Sequence, residues 1–143
     1  MTDTESKTLK LFYAAQLVDA AANFEDCGVV EKVTAKKKAE QSAAAPAQLA
    51  QLGIRAPREL FERFGAIFGC AAWTVNEKPD GGVTAQTASC LACAIAQKRG
   101  AGKPCELYCI NPFRALAAAL VPTRALDVEE TLWDGARCVF TVK

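Results

Sequence analysis

Apolar residues recur at helical spacing near the start of the chain. Leu9, Phe12, Tyr13, Leu17, Ala20, Ala21 and Phe24 fall on one side of an amphipathic helix of about six turns. Thr2 and Glu5 stand in capping-box register ahead of it, and Gly28 is placed to end it. Residues 29–45 contain "KVTAKKKAEQSAAA", whose Lys and Ala content favours a second helix, with Val29, Val30 and Val33 as its only candidates for burial. Pro46 is expected to break that helix, leaving "AQLAQLG" as a short separate segment that stops at Gly53. Pro57 then suits the first position of another helix, with Leu60, Phe61, Phe64, Ile67 and Phe68 on one side as candidate core.

From residue 71 the period changes. "AAWTVNE" and "GVTAQTA" are β-rich and flank "KPDGG", which predicts a hairpin. "CLACAIAQKRG" reads as a short helix with Ser89 as its cap, Lys98 and Arg99 in its last turn and Gly100 beyond. "NPFRALAAAL" reads as another, capped by Asn111, with Pro112 in its first turn and Pro122 closing it. The remainder, "RALDVEETLWDGARCVFTVK", predicts two alternating strands around Asp134-Gly135. The expected fold is α+β in a single domain, 1–143: a helical N-terminal half, 1–69, then ββ-αα-ββ with an antiparallel sheet in the Cys-containing region, 70–143.

Composition narrows the function classes. Lys+Arg at 17 nearly balances Asp+Glu at 16, so no field for capturing nucleic acid is present. The polar start "MTDTESKTLK" and the lack of any long apolar run predict a cytoplasmic protein with no membrane partner. The Lys36–Lys38 run reads as a solvated helix face, with contact to an acidic partner as the alternative. The chain has no histidine, which removes Ser-His-Asp and Cys-His catalysis and every His-ligated metal. No phosphate-binding or dinucleotide glycine motif and no nucleophile elbow occurs.

Seven cysteines remain to be explained. Cys90 and Cys93 are three apart, and Cys105 and Cys109 follow after eleven intervening residues, with Cys138 on the last strand. Helical pairs share a face, so the thiols could converge. Three outcomes stay open: a bland buried cluster, a metal site of zinc or an iron–sulfur cluster on Cys90, Cys93, Cys105, Cys109 and Cys138, or a catalytic thiol. Cys90, beside a helix N-terminus, and Cys105, after Pro104 and near Lys103, are the candidate nucleophiles. Glu130 interrupts the apolar series Leu126, Val128, Leu132, and a three-residue turn would set it opposite Cys138, with Val128 opposite Phe140. That makes Glu130 a candidate acid or base.

The stretches "SCLACAIAQKRGAGKPCELYC" and "ETLWDGARCVF" resemble the C-terminal part of the L-2-amino-thiazoline-4-carboxylic acid hydrolase-like family, over about 55 residues. The ending is also similar to small-molecule-binding domains of the 4-vinyl reductase type, some of which hold zinc through cysteines and a glutamate. Cys90, Cys105, Cys109, Gly135, Cys138 and Phe140 match the pattern. One departure is that "EETLWDG" lacks the second cysteine that precedes the terminal one in the zinc-holding relatives. The resemblance implies ring opening of a carboxylated cyclic amidine by water attack between nitrogen and sulfur.

Two function classes follow. The first is a hydrolase of a small carboxylated or sulfur-containing heterocycle, using Cys90, Cys105 or Glu130, with Arg99, Arg114 or Arg137 clamping the carboxylate. The second is a non-catalytic, sensor-type module binding a small molecule or metal, with the helical half as a lid. A homo-oligomer is compatible with either.

Overall fold

The computed structural model describes residues 1–143 and has the expected α+β architecture. Helices α1 (Asp3–Asp26), α2 (Val30–Leu52) and α3 (Pro57–Phe68) come first. Strands β1 (Thr74–Glu77) and β2 (Val83–Thr87) then form a hairpin. Helix α4 (Leu91–Arg99), a π-helical segment (Glu106–Ile110) and α5 (Asn111–Leu120) lead to β3 (Leu126–Glu130) and β4 (Cys138–Val142). The four strands make one antiparallel sheet in the order β1-β2-β4-β3. No helix is long and apolar enough to cross a membrane.

The local chemistry accounts for several boundaries. The capping box forms as its spacing predicts: the Glu5 amide donates to Thr2 Oγ1 at 3.1 Å and the Thr2 amide donates to Glu5 Oε2 at 2.6 Å. Pro57 opens α3, and Gly69 ends it in the left-handed region at φ 68°. The aliphatic stem of Lys10 lies directly on Gly69, so a side chain there would collide with α1 as well as strain the backbone.

Five expectations are corrected. Helix α2 runs unbroken through Pro46. The proline cannot donate to the Ser42 carbonyl, but both residues are exposed, so that carbonyl faces water, while Ala45 and Leu49 are buried against the rest of the molecule. The burial lies there and not at Val30, which is exposed. The first half of the expected face of α1 is not buried: Leu9 and Phe12 are 58% and 64% exposed, whereas Leu17 and Phe24 are half-buried and Ala14, Val18 and Ala21 are buried. Ala14 and Val18 form a small core with Ala92 and Ala96 of α4, because small side chains on both helices permit close approach and displace the larger ones to the flanks. Ser89 does not cap α4; Cys90 occupies that position in extended conformation, with no side-chain cap. Asn111 is likewise no cap, since the π segment continues directly into α5 and buries it.

The main core lies between α2, α3, α5 and the sheet, centred on Phe61, Leu116, Phe140 and Val142. It is separate from the α1–α4 core. The seam between the two cores positions the site.

Candidate functional site

A cavity opens along that seam, with about 80 Å³ accessible to the centres of water-sized molecules. A buried water occupies about 10–15 Å³ by that measure, so one compact organic molecule fits. Its walls bring together residues far apart in sequence. Tyr13 and Leu17 come from α1, Phe64 and Phe68 from α3, Cys70 and Trp73 from the link into β1, and Phe113 from α5. The π segment supplies Tyr108 and Cys109, with Cys105 just before it, and β4 supplies Cys138 and Phe140.

Six of the seven cysteines line this one space: Cys70, Cys90, Cys93, Cys105, Cys109 and Cys138. Cys27, at the end of α1, is the exposed exception. The sequence singled out five of the six. It missed Cys70, which lies in a coil remote from the Cys-rich stretch, and the only signal is spatial: the Leu91 amide donates to the Cys70 carbonyl at 2.8 Å, seating Cys70 beside the Cys90 corner. Cys70, Cys90 and Cys93 also face a shallow outer groove, so they form the thin part of the wall.

Burial raises five of these thiols, those of Cys70, Cys93, Cys105, Cys109 and Cys138. Burial, then repulsion from Cys90, pushes Cys70 up to about 11, against a lowering by the Ala92 amide. Burial, then Cys93 and Cys90, pushes Cys105 up to about 12, with Lys103 opposing. Burial raises Cys93 and Cys138 as well, the latter although the Leu132 amide donates to its sulfur at 3.3 Å. Burial, then repulsion from Cys90 and Cys105, raises Cys109 well above the ordinary thiol range. A thiol at about 11 is ionised to about one part in ten thousand at neutral pH, which leaves little nucleophile.

This has a measurable consequence in alkali. A thiol that keeps its proton in the fold but loses it in the unfolded chain stabilises the fold below its ordinary value of 9.0, and that stabilisation is lost as pH climbs toward about 11 and 12. Unfolding midpoints in urea are therefore expected to hold steady from pH 6 to about 8 and fall steeply above about 9. Cys105→Ala should flatten part of that fall; an unchanged pH profile would show that burial of Cys105 is not felt.

The other candidate residues lie outside. Glu130 does not face Cys138: a bulge at Glu129 shifts the register so that Glu130 pairs with Val139, although Val128 does pair with Phe140. Its carboxylate folds over the turn, accepting from the Ala136 amide and from Arg137 Nε, each at 3.2 Å. The carboxylate lies against Gly135, where an added Cβ would stand 2.5 Å from Glu130 Oε1 and push the flexible side chain aside. Arg137 also donates to Gln86 Oε1 at 3.1 Å. Arg99 pairs with Asp19 at 3.3 Å and Arg114 with Glu106 at 3.6 Å, both at the surface. None of Arg99, Arg114, Arg137 and Glu130 lines the cavity.

The thiols share a wall without forming a ligand set: no group of three or more His, Cys, Asp or Glu side chains is placed to hold a metal ion. Lining polarity comes from hydroxyls, those of Tyr13, Thr87, Tyr108 and Thr131, and Thr87 already donates to the Ser89 carbonyl at 3.0 Å. Tyr13 is the one lining residue that is also exposed, at 40%, and its ring meets Phe68 of α3 at 5.7 Å. No protein-family model matches the chain, and no curated protein matches it.

Proposed function

We propose that the chain is a non-catalytic binding module for a compact, uncharged, largely apolar small molecule, held in the seam cavity with α1 as its cover. One observation carries this reading: of the 21 residues lining the cavity, 17 are hydrophobic and none is Asp, Glu, Lys or Arg. A carboxylate desolvated there would have no cation to meet, a cost of several kcal/mol at least. An apolar ligand with a single hydroxyl or thiol finds both the surface and the few donors it needs. Of the two function classes the sequence left open, binding is therefore favoured over hydrolysis of a carboxylated heterocycle. The raised thiol of Cys105 and the peripheral Glu130 support the same choice.

The experiment pairs binding with turnover. Pure, fully reduced protein is incubated with 2-amino-thiazoline-4-carboxylate, and separately screened by thermal unfolding against neutral aromatics and thioethers. The expected result is unchanged carboxylate and an upward shift of the melting temperature with at least one neutral compound. Glu130→Gln should leave that shift intact, because the carboxylate serves the turn and not the cavity. Consumption of the carboxylated substrate, abolished by Glu130→Gln or Cys90→Ala, would overturn the reading in favour of a hydrolase.

A further inference from the structure

The thiols add a chemical preference that shape and polarity alone do not supply. Cys105 and Cys109 are four residues apart, across the start of the π segment, and both line the cavity, so their sulfurs project from one helical turn into one space. With no ionised group in the lining, a bound centre is best tolerated when its complex with the thiols carries no net charge. Zinc on four thiolates leaves two negative charges and copper(I) on two leaves one. An arsenic(III) centre bearing one organic group leaves none, and it needs two sulfurs where a tetrahedral metal needs more.

We infer that the cavity captures uncharged monoorganyl arsenic(III) compounds, the arsenic bridging the sulfurs of Cys105 and Cys109 and the organic group lying among Phe64, Trp73 and Phe113. The step is a condensation. Two As–S bonds form, two As–O bonds of the dihydroxide break, and each thiol proton leaves with a hydroxide as water. Arsenic stays trivalent and no oxidant or reductant takes part. Both halves of such a ligand are used: the soft centre by the dithiol, the apolar group by the aromatic wall, where Phe64 and Phe113 stand 4.9 Å apart between ring centres. The inference rests on the uncharged, apolar cavity proposed above and adds the dithiol to it.

The test uses the reduced full chain with phenylarsine oxide, read by intact mass and by thiol titration. The expected product carries one phenylarsenic group in place of two hydrogens and has two fewer titratable thiols. Cys27→Ala should form it unchanged, while Cys105→Ala and Cys109→Ala should each weaken it at least a hundredfold. Wild-type adduct formation in the double variant Cys105→Ala/Cys109→Ala would overturn the assignment, as would zinc protecting the same two thiols equally well. Toluene binding to the same samples separates the two claims. Toluene bound without any arsenic adduct overturns the dithiol inference alone, and loss of both overturns the apolar-cavity reading with it.

Discussion

Phe61→Ala is expected to destabilise the fold by about 3–5 kcal/mol, lowering the thermal midpoint by about 10 °C. Phe61 is fully buried and ties α3 to both other layers. Its ring stacks on Phe113 of α5 at 5.1 Å, tilts against Trp73 at 5.3 Å and meets Phe140 of β4 edge-on at 6.5 Å. Each such pair adds about 0.5–1.5 kcal/mol beyond the area it covers, and the space left by truncation has rigid walls that collapse poorly. Against a total of about 5–15 kcal/mol for a typical domain, the loss is a large share. Phe12→Ala is the contrast: at 64% exposed it should change stability by no more than about 0.5 kcal/mol. Urea unfolding of both variants checks this, and a cost below about 1 kcal/mol for Phe61→Ala would show that the aromatic cluster does not anchor α3.

The second large effect concerns binding. Cys109→Phe should abolish ligand uptake, weakening it at least a hundredfold, equivalent to about 2.7 kcal/mol, while the protein stays folded. Cys109 faces a cavity of about 80 Å³, and a phenyl ring grown from it enters that space instead of the packed core. Overpacking costs about 1–3 kcal/mol where no room exists, and here the cavity supplies the room. A variant that unfolds like the wild type but still binds would place the ligand elsewhere.

Much of this molecule can be read from residue order. The capping box of Thr2 and Glu5, the proline at the head of α3, the "KPDGG" hairpin and the pairing of Val128 with Phe140 follow from short-range chemistry. The failures are long-range. Pro46 signals a break, but burial of Ala45 and Leu49 on either side of it outweighs the missing donor. Asn111 carries a cap signal, yet the preceding turn is π-helical and absorbs it. The bulge at Glu129 moves Glu130 off Cys138, which removes from the cavity the one carboxylate the alternation had aimed there. The site itself was half visible. Clustered thiols at helical spacing announced Cys90, Cys93, Cys105 and Cys109, but Cys70 joins them only through the fold. The apolar stripe of α3 reads as core, and Phe61 is core; nothing in the periodicity shows that Phe64 and Phe68 wall a cavity.

The central claim is that this cavity admits apolar molecules and rejects charge, and toluene and benzoate differ in little else. Calorimetric titration of the reduced protein with each is the most direct test. The account predicts toluene binding with one-to-one stoichiometry and a negative heat-capacity change, no measurable benzoate binding, and loss of the toluene signal in Cys109→Phe. Benzoate binding as tightly as toluene, or toluene binding that survives Cys109→Phe, would contradict it.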